Sequence, residues 1–117
     1  MKILLIDEYI DIVMILGNCL RRNNYEVEVA LNLMDAKARI SEEIDAILVD
    51  IRISQNILEF VKEKYSNIPV IMMIGWAEPE YINELLKLGA THYIYKPFNF
   101  KELIELLSTL SKCQNII

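Results

Sequence analysis

Three acidic side chains stand where short apolar runs stop. Asp7 and Glu8 follow Ile3-Leu4-Leu5-Ile6, and Asp50 follows Ala46-Ile47-Leu48-Val49. A carboxylate is costly to bury inside a strand but not at the strand's open end, where acids from neighbouring strands meet in one crevice. Carboxylates brought together repel unless a proton or a cation joins them. An all-oxygen, partly hydrated site suits Mg2+, which takes one or two carboxylates and completes its octahedron with water and phosphate oxygens. Phosphoryl chemistry at Asp50 is one reading of this set. The plainer one is that each acid merely opens a loop, since connecting segments run over the polar surface.

For the acids to meet, parallel strands must deliver them to the same edge of a sheet. Short continuous apolar runs do alternate along the chain with longer segments whose apolar residues recur every three or four positions, the pattern of a parallel sheet covered by helices. Strands are expected at 2–7, 26–30, 46–50, 69–74 and 92–95. The third and fourth are almost wholly apolar and read as central, whereas the second is more polar and suits an edge. Between them, Ile12, Ile15, Leu16, Cys19 and Leu20 form one helical stripe, and Met34, Ala38 and Ile40 a weaker second. Asn32 is placed to cap that second helix through the amide of Asp35. Ile57, Phe60, Val61 and Tyr65 mark a third helix. Glu78-Pro79 begins a fourth that Gly89 ends. Asn99 and Glu102 form a capping-box pair, with Phe98 and Leu103 as a staple, for a last helix at 100–111.

At 117 residues the chain reads as one domain, 1–117, with no linker, internal repeat or further domain in the tail 112–117. Hydrophobic residues make up 54% of it, enough for its own core. Twelve basic against 17 acidic residues leave a formal charge of −5 without any Lys/Arg block, which argues against direct nucleic-acid or membrane binding. No apolar stretch is long enough to cross a bilayer, so a cytoplasmic location is expected. Cys19 and Cys113 lie far apart without ligand-type neighbours and read as reduced thiols.

A fourth chemical marker, Lys96-Pro97-Phe98, follows the last strand. An acidic pair after strand one, a lone Asp after strand three, Pro69-Val70-Ile71-Met72-Met73 in strand four and Gly-Ala-x-x-Tyr-x-x-Lys-Pro-Phe over 89–98 occur in this order along nearly the whole chain. Together they resemble the response-regulator receiver domain of two-component systems. The resemblance implies an α/β fold, a doubly wound five-stranded parallel sheet of order 2-1-3-4-5 with helices on both faces. It implies that Asp50 accepts a phosphoryl group from a sensor histidine kinase or histidine phosphotransferase. Asp7 and Glu8 match the pair that holds Mg2+, Arg52 the position whose backbone carbonyl joins the metal, and Lys96 the lysine that pairs with the acceptor; the Lys96-Pro97 bond is expected to be cis. Self-phosphorylation and self-dephosphorylation at Asp50 are implied, without turnover of a separate substrate. A downstream protein partner or fused output domain is implied as well, and the resemblance leaves room for a homodimer through the fourth helix, fifth strand and fifth helix.

Two departures bear on mechanism. Ile74 stands where the family has its switch Thr or Ser, so the hydroxyl that would bond the phosphoryl group is missing, while its aromatic partner is kept as Tyr93. The segment Ile51-Arg52-Ile53-Ser54-Gln55-Asn56-Ile57 lacks the usual Pro and Gly of the loop after the acceptor, and its Arg52 guanidinium either pairs with the phosphoryl group or with Glu8, or points into water. Trp76 either covers the site or packs into its loop. The competing function is a phosphorylation-independent pseudo-receiver that binds partners through Tyr81, Tyr93, Tyr95, Lys101 and Glu105. A dehalogenase-type hydrolase would need DxD where Asp7-Glu8-Tyr9 stands, and a flavodoxin-like binder a Gly/Ser/Thr-rich loop where Glu8-Tyr9-Ile10-Asp11 would repel phosphate.

Overall fold

A computed structural model describes the backbone of residues 1–114 and the side chains of residues 1–110. Strands β1 (Lys2–Ile6), β2 (Glu26–Ala30), β3 (Ala46–Asp50), β4 (Val70–Ile74) and β5 (His92–Tyr95) alternate with helices α1 (Ile10–Arg22), α2 (Leu33–Arg39), α3 (Ile51–Lys64), α4 (Pro79–Leu88) and α5 (Phe100–Gln114). The strands form one parallel sheet of order β2-β1-β3-β4-β5. β3 and β4 are buried at every position and lie inside the sheet, while the polar β2 is an edge. Because the sheet is covered on both faces, the inner strands β1, β3 and β4 feed two cores by strict alternation. Leu4, Ile6, Ile47, Val49, Val70, Met72 and Ile74 join one core under α2, α3 and α4. Ile3, Leu5, Leu48, Ile71, Met73 and Ile94 join the other, packed with Leu16 and Leu20 of α1 and Leu103 and Leu107 of α5.

The helix ends follow local chemistry. Asn32 Oδ1 accepts from the amide of Asp35 at 2.8 Å, and Asn99 Oδ1 from that of Glu102 at 2.7 Å. Phe98 packs into the core that holds Leu103. Pro79 occupies the first turn of α4, and Gly89 stops it at φ 123°, a backbone region that disfavours a side chain.

The phases of α1 and α2 differ from the expected stripes. α1 buries Val13, Leu16, Gly17 and Leu20, leaving Ile15 at 58% exposure. α2 buries Ala36, with Ile40 just beyond it, and exposes Met34 and Ala38. In both, a smaller residue, Val13 or Ala36, lies on the buried face and a larger one, Ile15 or Met34, on the exposed face. The larger correction concerns 51–57, read from sequence as a loop. It is the start of α3, whose Ile51, Ser54, Ile57, Leu58 and Val61 form a buried stripe. With no Pro or Gly to break the helix, it begins directly after β3, capped by Asp50 itself. α5 extends past the expected end at 111. The thiol state expected of Cys113 lies outside the described side chains, and the tail beyond 114 lies outside the described residues.

Candidate functional site

β1 and β3 are adjacent and parallel, so their C-terminal ends deliver Asp7 and Asp50 to the same edge. Asp7 is fully buried and Asp50 4% exposed. β5 ends on the same edge and supplies Lys96, whose amide donates to the Ile74 carbonyl at 2.8 Å and fixes where the lysine leaves the sheet. The Lys96–Pro97 peptide is cis. Lys96 Nζ donates to Asp50 Oδ2 at 2.7 Å and to Asp7 Oδ2 at 3.1 Å, joining the two acids.

The second cation comes from α3. Arg52 Nε donates to Asp50 Oδ1 at 2.8 Å and Nη2 to Oδ2 at 3.3 Å, a two-pronged grip on the carboxylate. The Arg52 backbone N–H donates to the same Oδ1 at 2.9 Å. Nη2 also lies 3.9 Å from Asp7 Oδ1, which accepts from the Tyr9 amide at 3.0 Å. Tyr9 braces the guanidinium from outside: the Arg52 Cζ lies 4.8 Å from the ring centroid, and Nη1 donates to the phenol oxygen at 3.3 Å. Tyr9, Asp50, Ile51, Arg52, Gly75, Trp76 and Lys96 line a cleft of ≈ 270 Å³.

Two acids therefore face two bases, and the pocket is neutral as it stands. Burial pushes the Asp50 carboxyl up, but Arg52 and Lys96 together outweigh it and hold it down at about 2. Burial likewise opposes the charge on Lys96, yet its bonds to Asp50 and Asp7 leave its pKa raised. The bond to Asp50 raises that of Arg52 further.

Glu8 is exposed and takes no part in these bonds. Among the described residues, no three His, Cys, Asp or Glu side chains stand together as a metal-holding group. Arg52 lies in the first turn of α3. The Arg52 guanidinium meets Asp50 rather than Glu8. Two carboxylates, Asp7 and Asp50, are a donor set that a largely hydrated Mg2+ could use.

A family model described as the response regulator receiver domain matches residues 3–108. The chain belongs to the response-regulator receiver domains. This receiver is 36% identical over 108 residues to a transcriptional regulatory protein CpxR homolog of Haemophilus influenzae, covering 88% of the chain and 47% of that protein. It is 32% identical over 112 residues to a putative NtrX-like response regulator of Rickettsia bellii, covering 90% of the chain and 23% of that protein. The chain thus spans less than half the length of these relatives. Among solved structures it resembles the chemotaxis protein CheY4 of Vibrio cholerae, with a TM-score of 0.84 and 27% identity over 93% of this chain and 97% of that one.

In this receiver Ile74 ends β4 with no exposed surface and packs into the core under α3 and α4, offering the site a backbone carbonyl but no side-chain donor. Tyr93 is half exposed, its ring 5.6 Å from that of Tyr95 in an edge-on arrangement at 82°. Trp76 is 77% exposed at the mouth of the cleft, so it lines the opening without closing it. Sequence reasoning passed over Tyr9 as a functional residue. The available signal was an aromatic two residues after one strand-ending acid, opposite an Arg two residues after the other.

Proposed function

We propose that this receiver accepts a phosphoryl group on Asp50 from a phosphohistidine of a histidine kinase or phosphotransferase, with Mg2+ as cofactor. The observation that carries this reading is the Lys96 ammonium bridging Asp50 and Asp7 at 2.7 and 3.1 Å at the strand ends. Asp50 is ionised at neutral pH and is the nucleophile: its oxygen forms the bond to phosphorus as the imidazole nitrogen of the donor leaves. Lys96 steadies the carboxylate beforehand and the phosphoryl oxygens afterwards. Asp7 and Asp50 would hold the metal, with Glu8 as a further carboxylate next to Asp7 in the chain, and Mg2+ when bound would offset charge on the entering group. Ile15 and Phe100, both more than 40% exposed, line one groove with Lys96, an apolar surface suited to a protein donor.

Incubation with acetyl phosphate and Mg2+ is expected to add the mass of one phosphoryl group, and Asp50→Asn to abolish the gain. Absence of labelling by small donors and by a cognate kinase would overturn the reading.

The buried Ile74 favours a second reading, a phosphorylation-independent interaction module, because the hydroxyl that would couple the site to β5 is replaced by core packing. Partner binding that is unchanged by Asp50→Asn and by Mg2+ supports that module. Binding that strengthens on phosphorylation rules it out.

A further inference from the structure

The Arg52 guanidinium occupies the face of the acid pair that a metal ion would need. Its two prongs engage both Asp50 oxygens, and Lys96 holds Oδ2 as well, so neither oxygen is left without a donor. Charge makes the same point. Asp7 and Asp50 already balance Lys96 and Arg52, and a divalent cation added with Arg52 in place would leave the buried pocket at +2, which a low-dielectric site resists. With Arg52 withdrawn, the same addition leaves +1, and exposed Glu8 stands beside it. The Arg52 side chain is 48% exposed, so it has room to withdraw into solvent without disturbing the core.

We propose that Arg52 is the receiver's own counter-cation, competing with Mg2+ for Asp50 and Asp7, and that Tyr9 sets the strength of that competition by bracing the guanidinium. The inference rests on the reading of the acid pair as a Mg2+ site. In the metal-free protein Arg52 covers the nucleophile; with the acid pair given over to metal, the guanidinium would leave Asp50 and uncover its carboxylate. Tyr9 is a positioning residue here, since it touches Arg52 and not the reacting atoms. Its ring and hydroxyl act only on the metal-free arrangement, so weakening them favours the metal-bound one.

Calorimetric Mg2+ titration of the full chain tests this directly, paired with NMR detection of the Arg52 Nε–H. The Nε–H signal is expected to exchange slowly in metal-free protein and to be lost at saturating Mg2+. Arg52→Met is expected to tighten Mg2+ binding by about ten-fold or more, the loss of a charge-assisted grip on the carboxylate. Tyr9→Leu, which leaves Arg52 in place, is expected to tighten it by about two- to five-fold. Equal or weaker binding in both variants, or an Nε–H signal that persists in saturating Mg2+, overturns the competition. If the wild type is nonetheless labelled by acetyl phosphate, only the competition falls. If wild type and Arg52→Met neither bind Mg2+ nor become labelled, the phosphoryl-transfer reading falls with it.

Discussion

Asp50 has almost no contact with water, and burial alone would favour its neutral form. The Arg52 and Lys96 cations reverse that preference and hold its pKa at about 2, against an ordinary 3.8. The folded-state value lies below the unfolded one, so the unfolded chain binds more protons between them and stability rises with pH in that window. The contribution is full above about pH 4 and is lost as pH falls toward 2, amounting to about 2 kcal/mol. Urea midpoints measured from pH 5 down to 2 should show this slope in the wild type and a shallower one in Asp50→Asn. Lys96→Met should act in the same direction at neutral pH, because Asp7 is fully buried and its Oδ2 would lose the ammonium. A loss of roughly 1–3 kcal/mol is expected from equilibrium unfolding. The sequence made Asp7, Asp50 and Lys96 legible, because strand ends and a Lys-Pro pair are local signals. It did not make Arg52 legible in the same way. A long side chain chooses its rotamer from partners brought together by folding, here Asp50 two residues away and Tyr9 from another loop.

Among the elements, α3 departs furthest from the expected pattern. Its segment 51–57 contains no helix breaker, and that local fact outweighed the loop usual after a receiver's acceptor residue. The inner strands were readable because their apolar runs are continuous, while their order came from the resemblance to receiver domains. Helix phase was harder, since Val13 and Ala36 are modest apolar residues beside larger exposed neighbours, Ile15 and Met34. The end of α4 was readable because one residue type answers one conformational need. Gly89 adopts φ 123°, and Gly89→Ala should cost roughly 1–2 kcal/mol in thermal or urea unfolding. β4 offers a functional counterpart. Ile74→Thr would place a hydroxyl at the end of this strand at the expense of core packing, so a stability loss of roughly 1–3 kcal/mol is expected.

Across the whole molecule, these properties predict how far a change at the site travels. Backbone NMR shifts on adding Mg2+ and beryllofluoride, an aspartyl-phosphate mimic, should stay within the cleft and the first turn of α3 in the wild type. They should reach α4 and β5 in Ile74→Thr, where a donor is restored; a wild-type map already extending through Tyr93 would contradict this. The sheet separates two cores that share only its strands, one under α2, α3 and α4 and one under α1 and α5. Arg52 reaches Asp50 from the first of these layers, and Lys96 from the turn that leads into α5. The acceptor carboxylate is thus a rivet through the sheet, clinched by one cation from each side. Forming an acyl phosphate there would draw on both fastenings at once, so the first turn of α3 and the turn that leads into α5 would feel the same chemical event.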